Sequence, residues 1–345
     1  MESGTGLTTI LVTGGAGFIG SNFVPYWLNK YDNYRIVNLD KLTYAGNLAN
    51  LEEVAHNPRY KFIAGDICNR DLVEFIFREW DVQGVIHFAA ESHVDNSILG
   101  PDVFIKTNIS GTFTLLDVAR KFWLQGPHQP RHGYAHCRFH HVSTDEVYGS
   151  LGPEGLFTEE TRLAPNSPYS ASKASSDMLV RSYFHTYGLN VVTTNCSNNY
   201  GPKQHAEKLI PTIIRKAMAL ETIPIYGDGK NIRDWLYVLD HCRGVDTAFH
   251  NGRSGETYNL GGKNELQNIY IAGLICDLLD ERVPERLSGL KSFKELIKFV
   301  TDRPGHDRRY AIDATKVERE LGWEPQETFE SGIVKTVDWY VNTWK

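Results

Sequence analysis

Tyr169 and Lys173, in the run Ser167-Pro168-Tyr169-Ser170-Ala171-Ser172-Lys173, stand four residues apart, so a helix would carry phenol and ammonium on one face. A free phenol titrates near about 10, and an adjacent ammonium plus the positive nicotinamide ring of a dinucleotide should lower it toward working pH, so the pair can act as a base toward a hydroxyl. A second reactive group is the triplet Thr144-Asp145-Glu146. Adjacent carboxyl groups raise one another's pKa, so one can keep its proton while the other ionises. An elimination needs that division between its acid and its base, and the triplet alone leaves open which carboxyl does which. A third group is Thr13-Gly14-Gly15-Ala16-Gly17-Phe18-Ile19-Gly20, with glycines at 14, 17 and 20. Side chains there would block a tight turn, the approach of a pyrophosphate to backbone N–H groups, or the packing of helix on strand. Asp40 follows about twenty residues on, the spacing at which an acid holds the adenosine ribose of a dinucleotide. Its charge favours NAD over NADP, although Lys41 beside it leaves NADP open.

These groups need a scaffold. Short β-rich apolar runs occur at Ile10 to Thr13, Arg35 to Leu39, Tyr60 to Ala64, Gly84 to Phe88, Arg138 to Val142, Val191 to Asn195 and Glu256 to Leu260, separated by helix-length connections. The rhythm predicts an α/β fold, a doubly wound parallel (Rossmann) sheet covered on both faces. Phe104 to Trp123 and Ser170 to Tyr187 repeat apolar residues at helical spacing and read as crossover helices, with a dimer surface among their roles. The reactive groups fall at the carboxyl ends of the runs: the glycines after the first, Asp40 after the second, Asp66-Ile67 after the third, Phe88-Ala89-Ala90-Glu91-Ser92 after the fourth and the triplet after the fifth. A doubly wound sheet binds its ligands there. After Tyr200, Gly201-Pro202, Gly227-Asp228-Gly229 and Arg303-Pro304-Gly305 break the rhythm, which predicts a smaller, discontinuous α/β domain. The expected division is 1–198 with 234–262 for the dinucleotide and 199–233 with 263–345 for the second ligand.

The 345 residues are 41% hydrophobic with a net charge of -6, and no basic patch marks a nucleic-acid or anionic-membrane partner. No apolar run approaches the roughly 20 residues that cross a bilayer. Met1-Glu2-Ser3-Gly4 leads directly to the strand-like Thr8-Thr9-Ile10-Leu11-Val12 without a signal-peptide pattern, so a cytoplasmic protein is expected. Cys68, Cys137, Cys196, Cys242 and Cys276 are scattered, as reduced thiols are, and the histidine-bearing stretch 125–137 reads as a solvated loop; no metal is expected.

GGAGFIG, Asp40-Lys41-Leu42-Thr43-Tyr44-Ala45-Gly46-Asn47, AAESHVD, HHVSTDEVYG, SPYSASKAS, NCSNNYGP, IRDW and DRPGHDRRYAID together span nearly the whole chain. The combination resembles the dTDP-glucose 4,6-dehydratases of the extended short-chain dehydrogenase/reductase superfamily. The tyrosine–lysine pair and the glycines mark only the superfamily; the triplet and DRPGHDRRYAID are far more specific. The resemblance implies an NAD-dependent hydro-lyase that turns dTDP-glucose into dTDP-4-keto-6-deoxyglucose and water, a step toward deoxysugars such as dTDP-rhamnose. Tyr169, supported by Lys173, would take the 4-hydroxyl proton while Thr144 bonds the same oxygen and tightly bound NAD+ accepts hydride from carbon 4. Glu146 would remove the carbon 5 proton and Asp145 would protonate the departing 6-hydroxyl. Hydride then returns to carbon 6 and NAD+ is regenerated.

By the same resemblance the cofactor is held by Gly14, Gly17, Phe18, Ile19, Gly20, Asp40, Lys41, Leu42, Thr43, Asp66, Ile67, Phe88, Ala89, Ala90, Ser92, Thr107, Tyr169, Lys173 and Asn199. The substrate is held by Ser92, Thr144, Asn198, Lys208, Leu209, Pro224, Ile225, Tyr226, Arg233, Asn268, Asp302, Arg303, Pro304, Gly305 and His306. Arg233 suits a diphosphate, which a guanidinium bonds in bidentate fashion, although Asp234 beside it leaves a structural ion pair open. Asn198 and Asn199 also suit a turn, and Lys208, Leu209 and Pro224-Ile225-Tyr226 also suit plain packing. The family implies a homodimer. Asn96 stands where many relatives carry a basic residue. The rivals are a 4-epimerase, a UDP-glucuronate decarboxylase, a GDP-mannose 4,6-dehydratase and a non-catalytic dinucleotide sensor. Epimerisation and decarboxylation need no acid for a 6-hydroxyl, so Asp145 discriminates.

Overall fold

The computed structural model describes residues 6–302 and 307–344. Seven strands, β1 (Thr8–Thr13), β2 (Tyr34–Asp40), β3 (Tyr60–Ala64), β4 (Val82–His87), β5 (Arg138–Thr144), β6 (Val191–Cys196) and β7 (Thr257–Leu260), form one sheet in the order β7-β6-β5-β4-β1-β2-β3. Every pairing in it is parallel. The order reverses at β1, so successive crossovers leave to opposite sides and a crevice opens at the carboxyl ends of β1 and β4. Alternation along β1 shows why its run is apolar throughout: Ile10 and Val12 enter one core, Leu11 the other. The first core is completed by helices α1 (Phe18–Lys30) and α6 (Val238–Asn251), the second by α2 (Arg70–Trp80), α3 (Thr112–Trp123) and α4 (Pro168–Tyr187).

Beyond Tyr200, α5 (Leu209–Met218), α7 (Asn268–Arg282) and α8 (Phe329–Thr343) build a third apolar core, with Ile213, Ile275 and Ile333 around Trp235 and Tyr237. Two small sheets flank it: Ile223–Tyr226 pairs with Ile297–Val300, and Ile232–Tyr237 lies between Glu265–Gln267 and Asn198–Tyr200. Ala314, Val317 and Trp323 return to the first core.

The predicted helix from Phe104 to Trp123 is not continuous. Ile105–Gly111 is a wide, π-type stretch ahead of α3. A Cβ on Gly111 would lie 2.5 Å from Ile67, so the helix approaches β3's end closely there. The extra residue in the turn aims Asn108 inward, where it bonds the Glu91 backbone N–H and C=O and the Ser172 hydroxyl, tying the β4 loop to α4. The loop predicted over 125–137 also holds structure: Leu124–Gly126 pairs antiparallel with Gln129–Pro130.

Candidate active site

One cleft at the strand ends gathers most of the expected residues. Its cofactor side is lined by Gly14, Gly17, Phe18, Ile19, Gly20, Asp40, Lys41, Thr43, Asp66, Ile67, Phe88, Ala89, Ala90, Ser92 and Thr107. Its reactive end is lined by Thr144, Asp145, Glu146, Tyr169, Lys173, Asn198, Asn199 and Lys208. Leu42 is the exception in the cofactor set: it sits at φ +54 beside the cleft, donating its N–H to Asp40.

The glycines divide by what constrains them. Gly14 has φ +71, and a Cβ there would lie 2.6 Å from the Ala89 backbone; one on Gly20 would lie 2.4 Å from the Gly14 carbonyl. Folding itself requires both. Gly17 meets nothing closer than the Gly14 carbonyl at 3.3 Å and lines the cleft, so a bare backbone there serves a ligand. Asp40 accepts from Ala16 N (2.9 Å) and Leu42 N (2.8 Å), which fixes the turn, and Lys41 is drawn to Asp66 at 2.8 Å, joining the tips of β2 and β3. Burial alone would raise the Asp66 pKa, but the hydrogen bonds from Lys41 and Cys68 hold it below the ordinary value. These residues fit NAD. Gly17→Ala is expected to leave the melting temperature of NAD-free protein nearly unchanged and to weaken NAD binding on the order of ten- to a hundred-fold through the inserted methyl. Gly14→Ala should fail to fold. Calorimetry and nucleotide content after purification check both, and undiminished NAD in Gly17→Ala would contradict the assignment.

At the reactive end, Thr144 closes β5 and its Oγ1 accepts from Glu146 N at 3.3 Å, starting the 3₁₀ turn Asp145–Tyr148. Tyr148 anchors that turn between Asn259 and Asn195, at 2.9 Å each. Asp145 is 1% exposed, takes a 3.3 Å hydrogen bond from Thr144 on Oδ1, and buries Oδ2 without one. Burial first, then Glu146 and Asp234, push its pKa well above the carboxylate range against the pull of Arg233. Glu146 is half-buried beside it. Burial thus separates the two carboxyls and favours the protonated form of Asp145.

Helix α4 starts in a reciprocal cap, Ser167 Oγ accepting from Ser170 N and Ser170 Oγ from Ser167 N, with Pro168 in the first turn. This sets Tyr169 into the cleft with its ring edge-on to Phe104. Lys173 donates to the Val142 carbonyl at 2.9 Å. The chain's own groups raise Tyr169: burial first, then Glu146 and Cys196, push the phenol well above its ordinary value, and the Thr144 hydrogen bond offsets only part. The chain's own groups thus favour the neutral phenol, and the lowering expected from a positive nicotinamide ring would have to offset them.

The remaining substrate residues form a second group. Arg233, buried on Ile232–Tyr237, lies 4.3 Å over the Tyr310 ring and donates to the Ile232 and Asp307 carbonyls, both at 2.8 Å. Asp234 instead accepts from Gly262 N (2.8 Å) and Asn264 N (2.7 Å). Exposed Tyr226 precedes Gly227, which packs on Asp302; Asn268 opens α7 with Oδ1 buried and without a hydrogen bond. Pro224 is half-buried in its short strand, Ile225 is 1% exposed and belongs to the third core, and Leu209 packs against that core. Arg303, Pro304, Gly305 and His306 lie outside the described residues. The cleft also takes in Glu91, Ser143, Cys196, Ser197, Gln204, His205 and Glu207, which sequence reasoning missed. Glu91 and Ser143 sit inside quoted motifs; Gln204 to Glu207 follow a Gly-Pro break and carry no local signal.

The family model described as GDP-mannose 4,6 dehydratase matches residues 11–336. A dTDP-glucose 4,6-dehydratase of Xanthomonas campestris pv. campestris (strain B100) is 56% identical over 340 residues, 98% of this chain and 95% of that relative. The chain belongs to the dTDP-glucose 4,6-dehydratase family. The crystal structure of a dTDP-glucose 4,6-dehydratase from Bacillus anthracis str. Ames in complex with NAD matches with a TM-score of 0.84 at 49% identity, covering 97% of each chain. A UDP-glucose 4-epimerase from Thermotoga maritima, with UDP-glucose, reaches the same TM-score of 0.84 at 28% identity, covering 98% of this chain and all of that one. Backbone shape therefore does not separate dehydratases from epimerases; the residues on the strand ends must.

Proposed function

We propose that the chain converts dTDP-glucose into dTDP-4-keto-6-deoxyglucose and water, as an NAD-dependent hydro-lyase of deoxysugar biosynthesis. The observation that carries the reading is Asp145, a carboxyl kept neutral by burial beside Glu146, in the cleft that also holds Tyr169 and Lys173. NAD+, cradled by the Gly14-to-Gly20 turn and Asp40, supplies the hydride acceptor for carbon 4 and the donor for carbon 6. Tyr169 takes the 4-hydroxyl proton, with Lys173 and Thr144 holding it in place. The ketone formed at carbon 4 acidifies the carbon 5 hydrogen, which Glu146 removes. Asp145 gives its proton to the 6-hydroxyl, and water leaves. Glu146 then returns a proton to carbon 5; Tyr169 still holds the 4-hydroxyl proton and Asp145 has lost its own, so one proton passing from Tyr169 to Asp145 by way of solvent resets the site.

Arg233 holds the diphosphate, with Tyr226, Asn268 and Asp302 toward the nucleoside, in a domain comprising 199–233 and 263–345; residues 1–198 with 234–262 form the NAD-binding domain. The reading extends to a cytoplasmic homodimer. A second copy covers the exposed apolar side chains of Ile98, Leu99, Ile105, Phe113 and Met178, and five free cysteines suit a reducing compartment.

Purified protein given dTDP-glucose without added cofactor is expected to release the 4-keto-6-deoxy sugar, and to act far less well on UDP-glucose in the same assay. Unchanged substrate or a galactose epimer would reject the reading, and light scattering at the monomer mass would reject the dimer.

A further inference from the structure

The stripe that carries Tyr169 and Lys173 continues one turn further along α4 to Asp177, four residues past the lysine. Asp177 is not part of the cleft. Its side chain is 12% exposed and faces His141 and Ser143 of β5. Ser143 Oγ donates to Asp177 Oδ2 at 2.9 Å, and His141 Nε2 lies 3.1 Å from Oδ1 without the alignment of a hydrogen bond. Two successive residues of β5 are thus tied to α4 one turn apart, the Val142 carbonyl to Lys173 and the Ser143 hydroxyl to Asp177. The next residues of the strand are the Thr144-Asp145-Glu146 triplet.

Lys173 needs a countercharge. An ammonium enclosed as fully as this one sheds its proton unless an anion faces it. Burial does lower the Lys173 pKa, and Asp177 is the first group that raises it again, ahead of Cys196. The other titratable groups around the carboxylate do not compete. His141 on β5 is held neutral by burial and by the Lys173 charge, and His87 of β4, tilted against His141 with centroids 5.4 Å apart, is kept neutral first by burial, then by His141 and Lys173. Tyr148 in the 3₁₀ turn is pushed upward, first by burial and then by Asp177 itself, so it stays protonated. Asp177 is pushed up to about 6 by its own burial, against the pull of Lys173 and the Ser143 hydrogen bond, so it is ionised at neutral pH.

We propose that Asp177 is a positioning residue for the oxidation step, the buried counter-ion that keeps Lys173 charged one turn behind Tyr169. It touches neither substrate nor cofactor and acts through the lysine. The inference deepens the proposed function and rests on Tyr169 being the base.

The test compares parent protein with Asp177→Asn, which keeps an acceptor for Ser143 Oγ but not the charge. Two readouts are taken on NAD-loaded protein. One is the pH dependence of the single-turnover oxidation of dTDP-glucose. The other, free of substrate, is the ultraviolet titration of the Tyr169 phenol, with Tyr169→Phe subtracted. Asp177→Asn is expected to move the acidic limb of the rate and the phenol titration upward by about one to three pH units, with a corresponding loss of about ten- to a thousand-fold at neutral pH. Asp177→Glu, which restores the charge, should return both toward the parent. If Asp177→Asn cannot be purified folded, Ser143→Ala takes its place; removing the bond that favours the ionised carboxylate should move both readouts upward by a smaller amount. A folded, NAD-loaded variant with both readouts unmoved overturns the inference. A moved phenol titration in a protein that does not convert dTDP-glucose would sustain the counter-ion and overturn only the substrate reading.

Discussion

Replacing Asp145 by Asn should cut formation of the 4-keto-6-deoxy sugar by about a hundred- to ten-thousand-fold, the usual worth of a positioned general acid. Reduction of the bound cofactor in a single turnover should stay within about tenfold of the parent, because oxidation at carbon 4 does not use that proton. The substitution is a narrow one: asparagine has the shape of aspartic acid, and in this cleft it replaces a carboxyl that is already neutral. The pH behaviour follows with a definite sign. Activity requires the protonated form, so water loss persists through neutral pH and declines only as pH climbs through the raised pKa; the variant lacks that limb. The stability contribution has the same sign with pH. A carboxyl whose folded pKa lies above its unfolded value stabilises the fold fully only below the unfolded pKa, and that contribution fades as pH rises toward the folded one. Asparagine is indifferent to this change. Asp145→Asn should therefore melt no lower than the parent at neutral pH, and higher as the medium becomes alkaline, while losing its chemistry. Rapid-quench product analysis and calorimetry read the two effects. Unchanged water loss, together with unchanged exchange of the carbon 5 proton, would remove Asp145 from the mechanism.

Part of this site is written locally in the chain. The glycines from Gly14 to Gly20, Asp40 and the triplet are contiguous with the strands that position them, so periodicity finds strand and chemistry together. Each of the seven predicted runs overlaps a strand of the sheet. What could not be read depends on how distant segments enclose a side chain. The sequence pairs Tyr169 with Lys173; that burial first, then Glu146 and Cys196, raise the phenol shows only in the packing. Asp145 and Glu146 look equivalent until burial separates them. Asp177 is visible one turn past Lys173, but its significance needs Ser143 and His141 from a strand more than thirty residues away. Ile225, matched to a binding segment, is 1% exposed and fills a core, which the sequence does not reveal, so any ligand contact there would fall to its backbone or to exposed Tyr226.

The sharpest separation of roles comes from Tyr169→Phe. In the proposed mechanism the ionised phenol oxygen accepts the 4-hydroxyl proton, and the ring alone keeps the edge-on packing against Phe104, at 6.4 Å between centroids. The fold and the NAD content should therefore survive, whereas oxidation should fall by about a hundred- to ten-thousand-fold. In the parent, burial and Glu146 hold the phenol high, so the oxidation rate should climb as pH rises toward the phenol's pKa in the loaded enzyme and then level; in Tyr169→Phe it should stay low and flat. The decisive measurement enters the reaction from its product. In dTDP-4-keto-6-deoxyglucose the carbon 4 ketone already acidifies the carbon 5 hydrogen, so Glu146 can exchange that hydrogen with deuterated solvent without any oxidation. Tyr169→Phe should retain this exchange within about tenfold, since its base is intact, while Glu146→Gln should lose it. A Tyr169→Phe protein that oxidises dTDP-glucose normally would dismiss the phenol as base. If it lost oxidation and exchange alike, the two steps would share one base, and the assignment of the carbon 5 proton to Glu146 would have to be withdrawn.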